Sequence, residues 1–289
     1  MDLEALGGKC LNPYLELMRP ANSVMAGLAS IIGFLIASSL SLTPHDFTKL
    51  LLLFTSTFVL SSSSMAMNDY FDREIDAVNQ PQRPIPSGRV KPGRALTFSI
   101  TLMIIGLLLS ALVSLKALIV AIVACVLFTV YSMYLKRYGL IGNACVSLCV
   151  ALTFIYGAAA TGSFPGLIAT FSSVAFLASM SREVVKGIID VEGDRLKGIR
   201  TLAISRGSRA SAKVAFVFMC FAVALSIVPA LLGYVNWLYL PIVLVADAGL
   251  LTSTLLVLSA PTPNRAAKSK KLMLMFMGLA LTAFLVGCI

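Results

Sequence analysis

LLLLFTSTFVLSSSSMAMNDYFDREID, residues 50–76, joins two stretches of opposite character. Leu50 to Met67 carries no charge over 18 residues, enough at 1.5 Å per residue to cross most of a hydrocarbon core about 30 Å thick. Directly after it, four carboxylates (Asp69, Asp72, Glu74 and Asp76) fall within nine residues. A chain that concentrates scarce acids at the end of an apolar run places them where a membrane helix meets water.

The rest of the chain has the same character. Of 289 residues, 58% are hydrophobic and 12% charged. The mean hydropathy is +0.92, and soluble domains carry about a quarter charged residues. This excludes a soluble protein and predicts an all-α, polytopic membrane protein. Charge-poor windows at 21–40, 50–67, 95–115, 117–135, 140–162, 166–185, 211–232, 236–258 and 272–289 predict nine transmembrane helices, with Lys116 dividing the third from the fourth. The polar stretches 1–19, 68–94 and 186–210 are too short for a separate domain, so residues 1–289 read as one membrane-embedded unit. The first span lacks an A-x-A cleavage site and reads as retained.

Six cysteines (Cys10, Cys125, Cys145, Cys149, Cys220 and Cys288) form no C-x-x-C pair, and most lie inside spans as small apolar side chains. His45 reads as a solvated loop residue. Trp237, Tyr234 and Tyr239 read as an interfacial aromatic belt. Ser61 to Ser64 reads as a small-residue packing surface. Asp247 is the one acid at membrane depth and needs a hydrogen-bond partner there.

With nine spans, one side of the membrane receives every one of the 23 lysines and arginines except Lys49 and Lys116. The positive-inside rule makes that side cytoplasmic, with the amino terminus inside and the carboxyl terminus outside. The net charge of +10 therefore rims one face of a bilayer protein. It points to anionic lipid or a phosphorylated substrate and away from nucleic acid. No obligate protein partner is implied.

A second acidic group, Glu183, Asp190, Glu192 and Asp194, ends an even-numbered span and so shares the side of the first. If each helix continues past the membrane edge, Asp69, Asp72 and Asp76 share one stripe, and Glu183, Lys186, Asp190 and Asp194 another. Such rows repel themselves unless cations lie between the oxygens. Mg²⁺ held by carboxylates and substrate phosphate suits them, so a diphosphate gripped through bridging metal ions is expected. Asn22 precedes Asp69 by 47 residues and Asn143 precedes Asp190 by 47. The pattern predicts two parallel pseudo-repeats of four helices, about 20–135 and 140–258, offset by about 121 residues around a central cavity, with a ninth helix at 272–289.

The residues N-D-x-x-D-x-x-x-D (Asn68, Asp69, Asp72, Asp76) and D-x-x-x-D (Asp190, Asp194), with nine spans, resemble the UbiA superfamily of intramembrane prenyltransferases along the whole chain. The resemblance implies Mg²⁺-dependent loss of diphosphate from an allylic carbon, with a prenyl diphosphate as donor. It implies two Mg²⁺, one held by Asn68, Asp72 and Asp76 and one by Asp190 and Asp194, with Asp69 assisting. Lys136, Arg83 and Lys186 then neutralise the remaining phosphate charge, and the loop RPIPSGR acts as a lid.

The superfamily pairs a tyrosine with a basic residue four positions on. Here Tyr131 and Lys136 are five apart, with Tyr134 as competitor. Arg19, Asn22 and Asn143 are expected to line the cavity. Arg19, Arg182, Lys197 and Arg200 are candidates for holding the acceptor. NDYFDREIDAVNQPQRPIPSGR and SREVVKGIIDVEGDRLKGIRTLAISRG are most similar to the branch that prenylates a glyceryl-ether phosphate in archaeal lipid synthesis. The same machinery serves aromatic quinone precursors and haem, and a secondary transporter is the remaining alternative.

Overall fold

The computed structural model describes residues 12–289, so Lys9 and Cys10 lie outside it. In chain order the helices are α1 (Pro13–Met18), α2 (Pro20–Ala37), α3 (Pro44–Phe71), α4 (Arg73–Asn79), α5 (Pro92–Val113), α6 (Leu115–Met133), α7 (Leu140–Ala159), α8 (Gly166–Ile189), α9 (Val191–Leu196), α10 (Leu202–Arg206), α11 (Ser208–Leu231), α12 (Tyr239–Ser259) and α13 (Pro263–Cys288). Among the described residues nine helices, α2, α3, α5, α6, α7, α8, α11, α12 and α13, are long and apolar enough to cross a bilayer. That is the number expected, and the chain is a multi-pass membrane protein.

Helix starts follow local chemistry. α1, α2, α3, α5 and α13 each begin on proline, whose fixed φ and missing N–H suit a first helical position. Thr43 and Asp46 form a capping box at α3, Thr43 N donating to Asp46 Oδ2 at 2.8 Å. The chain breaks between α5 and α6 at Ser114, which is extended (φ −173°, ψ 160°) and caps Ala117 N, so Lys116 lies inside α6. α13 starts nine residues before the apolar window and carries Arg265, Lys268, Lys270 and Lys271 on helix, where the sequence reading has a loop.

The long helices pack in succession, and α13 closes on α2. Their far ends are held by a crossing of α2 and α7 without intervening side chains. A Cβ on Gly157 would lie 1.9 Å from Ser30 O, and one on Gly33 would lie 2.1 Å from Phe154 O. α3 is joined to α5 by reciprocal bonds, Ser63 Oγ to Ser99 O at 2.8 Å and Ser99 Oγ to Ser63 O at 2.9 Å. The serine run therefore divides. Ser62 and Ser63 are fully buried in packing, while Ser61 and Ser64 line the cavity.

The aromatic belt needs correcting. Trp237 and Tyr234 are exposed, but Tyr239 is fully buried, stacked near Phe171 and donating its hydroxyl to Ser226 O at 2.7 Å. Asp247 has the partner it requires, Ser226 Oγ donating to its Oδ2 at 2.6 Å.

Candidate active site

Both acidic stretches sit on near-continuous helix. α3 passes into α4 at Asp72 (φ −86°, ψ −1°), and α8 into α9 at Asp190 (φ −92°, ψ 9°). Helical hydrogen bonding persists through each break, with Asp76 N to Asp72 O at 2.8 Å and Asp194 N to Asp190 O at 2.9 Å. The two breaks lie 118 residues apart in the sequence, against the offset of about 121 read from the Asn22–Asp69 and Asn143–Asp190 spacings.

The two segments meet. Asn79, at the end of α4, donates Nδ2 to Asp190 O at 3.2 Å and accepts Gly193 N–H on Oδ1 at 3.0 Å. Gly193 is required there, because a Cβ would stand 2.5 Å from Asn79 Nδ2 and 2.9 Å from Ile75 Cγ2. Lys197 crosses the same junction to pair with Glu74. Sequence reasoning missed Asn79 and Gly193, since neither residue type signals a contact 114 positions away.

The first row of acids is matched by cations from three directions. Arg19, in the left-handed conformation between α1 and α2 (φ 45°), pairs with Asp69. Burial alone would weaken its charge, but Asp69 and its neighbours outweigh burial and raise its pKa. Arg83 reaches Asp76 Oδ2 at 2.6 Å and Asp69 Oδ1 at 3.3 Å. Lys136 Nζ lies 2.5 Å from Asp72, which also accepts Asn68 Nδ2 at 2.8 Å.

Tyr131 is buried and lines the cavity, whereas Tyr134 is 54% exposed. After Met133 the chain tightens into a 3-10 turn, Leu135–Tyr138, which absorbs the five-residue spacing and returns Lys136 to the acids.

The loop after α4 wraps inward. Ile85 and Val90 are buried beside Leu17 and Ala66, and Gly88 takes a positive φ of 76° that a turn needs. Arg83 faces in. Arg89 faces out and holds Glu16 with a two-pronged ion pair.

The second row is less neutralised. Asp194 is buried, and its Oδ1 has no hydrogen-bond partner among the described residues. Burial raises its carboxyl to about 6, with Asp190 and Asp72 adding and Lys136 and Lys186 opposing. Burial likewise raises Asp76 despite Arg83. Among the described residues no three acids converge on one point. The donor set is nonetheless all hard oxygen, and the orphaned Asp194 Oδ1 and the two raised carboxyls would each gain from a divalent cation of the Mg²⁺ type.

Below the acids a cavity of about 300 Å³ descends between the helices; of the nine spans only α5 contributes nothing to its wall. Arg19, Asn22, Asn68, Arg83 and Arg182 line its mouth, and Asp247 and Ser226 lie deep in it among apolar residues. Lys186 and Lys270 also line it. Three expected cavity residues lie elsewhere. Asn143 is half-buried outside the lining, while Lys197 and Arg200 are exposed after the end of α9 and outside the lining.

An apolar cavity under two facing acid rows defines an intramembrane transferase of the prenyl type. The UbiA prenyltransferase family matches residues 26–280, and the chain belongs to that family. A digeranylgeranylglyceryl phosphate synthase of Natronomonas pharaonis is 38% identical over 87% of this chain and 90% of its own. A structure solved in work on digeranylgeranylglyceryl phosphate synthase in membranes is 33% identical, with a TM-score of 0.72 over 96% of this chain and 98% of that one. A UbiA homolog from Archaeoglobus fulgidus bound to DMAPP and Mg²⁺ shares the fold, with a TM-score of 0.66, 18% identity and coverage of 94% and 99%.

Proposed function

We propose that this protein transfers a geranylgeranyl group from geranylgeranyl diphosphate to the hydroxyl of geranylgeranylglyceryl phosphate. The carrying observation is the meeting of α4 and α9 through Asn79 above an apolar cavity. Relatives at up to 38% identity over most of both chains bear the corresponding name.

In this reading Asn68, Asp72 and Asp76 hold one Mg²⁺, and Asp190 and Asp194 a second. Bound there, the metal supplies Lewis-acid charge to the leaving diphosphate. Arg83 and Lys136 orient the diphosphate, and Tyr131 stands at the boundary between headgroup and tail. The apolar wall keeps water from the allylic carbon while the C1–O bond breaks, its electron pair leaving with diphosphate. The acceptor oxygen forms the new C–O bond, and its proton passes to a carboxylate or to a diphosphate oxygen. The acidic mouth lies on the cytoplasmic side by the distribution of lysine and arginine, with the amino terminus inside. The twin breaks at Asp72 and Asp190 support a two-unit architecture for the one membrane domain.

The test is incubation of the purified protein with labelled geranylgeranyl diphosphate, Mg²⁺ and either the glyceryl-ether phosphate or an aromatic acid. Label on the ether phosphate is expected. Label on the aromatic acid alone overturns the reading.

A further inference from the structure

α13 carries four basic residues on its first turns, and they do not behave alike. Arg265, Lys268 and Lys271 are exposed, whereas Lys270 is half-buried and lines the cavity. Its direction is fixed by its neighbours. Ala266, Ser269 and Met273 are fully buried, and Ser269 Oγ donates to Ser253 O on α12 at 2.7 Å, so the helix cannot turn Lys270 outward without unpacking that face.

Lys270 faces α8, where Arg182 and Lys186 also line the cavity. Glu183 is the carboxylate nearest the group, and Asp190 of the second acid row acts on both lysines from further off. Glu183 lies 3.5 Å from Arg182 and 3.7 Å from Lys186, and Lys270 is close enough to act on its charge. Arg19 is already committed to Asp69. On this wall three cations share Glu183 as their only ion-pair partner among the described residues, in a cavity whose remaining lining is mainly apolar. Independently, Arg182 Nε is buried with no hydrogen-bond partner among the described residues, a donor left over by the protein's own contacts.

From this we infer that Arg182, Lys186 and Lys270 form a second phosphate subsite, on the α8–α13 wall, which takes the phosphate monoester of the acceptor. It rests on the reaction proposed above and names the group that selects its acceptor. A phosphate monoester dianion brings two charges and three terminal oxygens to these three cations, whereas an aromatic carboxylate brings one charge and no third oxygen. The diphosphate belongs to the acid rows with Arg83 and Lys136. The two anions are thereby held apart, and the acceptor is selected by its phosphate and not by its tail.

The experiment compares wild type with Lys270→Gln, Lys270→Arg and Arg182→Lys, using geranylgeranylglyceryl phosphate and the same ether without phosphate. Loss of one charged contact is expected to raise KM for the phosphorylated acceptor roughly ten- to a hundredfold. In K270Q the preference for phosphorylated over unphosphorylated acceptor collapses, KM for the donor stays put, and K270R recovers most of the loss. Equal decline with both acceptors, or no recovery of KM in K270R relative to K270Q, overturns the subsite.

Calorimetric binding of the phosphorylated ether without donor or metal separates this inference from the reaction itself. A wild type that binds the ether but never prenylates it sinks the reaction and leaves the subsite standing. K270Q and R182K both binding as tightly as wild type overturn the subsite.

Discussion

Asn79 and Gly193 interlock: the glycine N–H donates to Asn79 Oδ1 at 3.0 Å, and no side chain fits on the glycine without striking the amide. One polar side chain and one missing one therefore help to set the separation of the acid rows, beside the Lys197–Glu74 pair. Gly193→Ala displaces Asn79 and pushes α4 from α9, and Asn79→Ala leaves Gly193 N–H unpaired and removes the side-chain bond to Asp190 O. Each is expected to lower kcat about ten- to a hundredfold, through misplacement of catalytic groups. Each should also cost about 1–3 kcal/mol of stability. Steady-state kinetics and thermal unfolding in detergent measure both.

Asp72 accepts from both Asn68 and Lys136. Asp72→Ala frees both donors and removes an oxygen from the proposed Mg²⁺ site, so kcat should fall about 10²–10³-fold. Diphosphate-dependent Mg²⁺ binding should be lost with it. Persistence of that binding in the variant would place the metal elsewhere.

Asp194 gives the site a pH dependence of defined sign. Its carboxyl titrates near about 6 in the folded protein because of burial, against an ordinary 3.8. The folded apoprotein takes the proton first, so acidification between those values favours folding of the apoprotein through this group. Mg²⁺ needs the carboxylate and follows the opposite course. Calorimetric Mg²⁺ affinity should rise with pH through about 6 and then level, with a weaker pH dependence in Asp194→Asn.

Gly157→Ala tests the far crossing. Its Cβ would stand 1.9 Å from Ser30 O, a backbone atom that cannot step aside. A loss of at least about 1–3 kcal/mol in unfolding free energy is expected.

The acid rows and the nine spans were legible because charges stand out in an apolar chain, and helical spacing then assigns them to faces. Lys270 was not. Hydropathy windows begin where charges stop, so a helix whose first turns lie outside the hydrocarbon is read as loop, and the inward phase of one lysine among four is lost. Tyr131 and Tyr134 are indistinguishable in the sequence, and the end of α6 at Met133 falls between them, leaving Tyr131 buried on the helix and Tyr134 exposed beyond it. Tyr239 was misread because adjacency to Trp237 is a sequence fact, whereas its contact with Phe171 is a packing fact. Lys197 and Arg200 were assigned by sign of charge alone, which does not report direction.

The glycine crossing of α2 and α7 makes α2 a lever. Gly33 to Asn22 is eleven residues, about 16 Å of helix. A tilt of only about 4° at the fulcrum therefore carries the headgroup end by about 1 Å, a displacement large enough to slow chemistry about a hundredfold. Lipid thickness or a substitution in the opposite leaflet can thus be felt as a change in turnover, with no residue near the diphosphate altered.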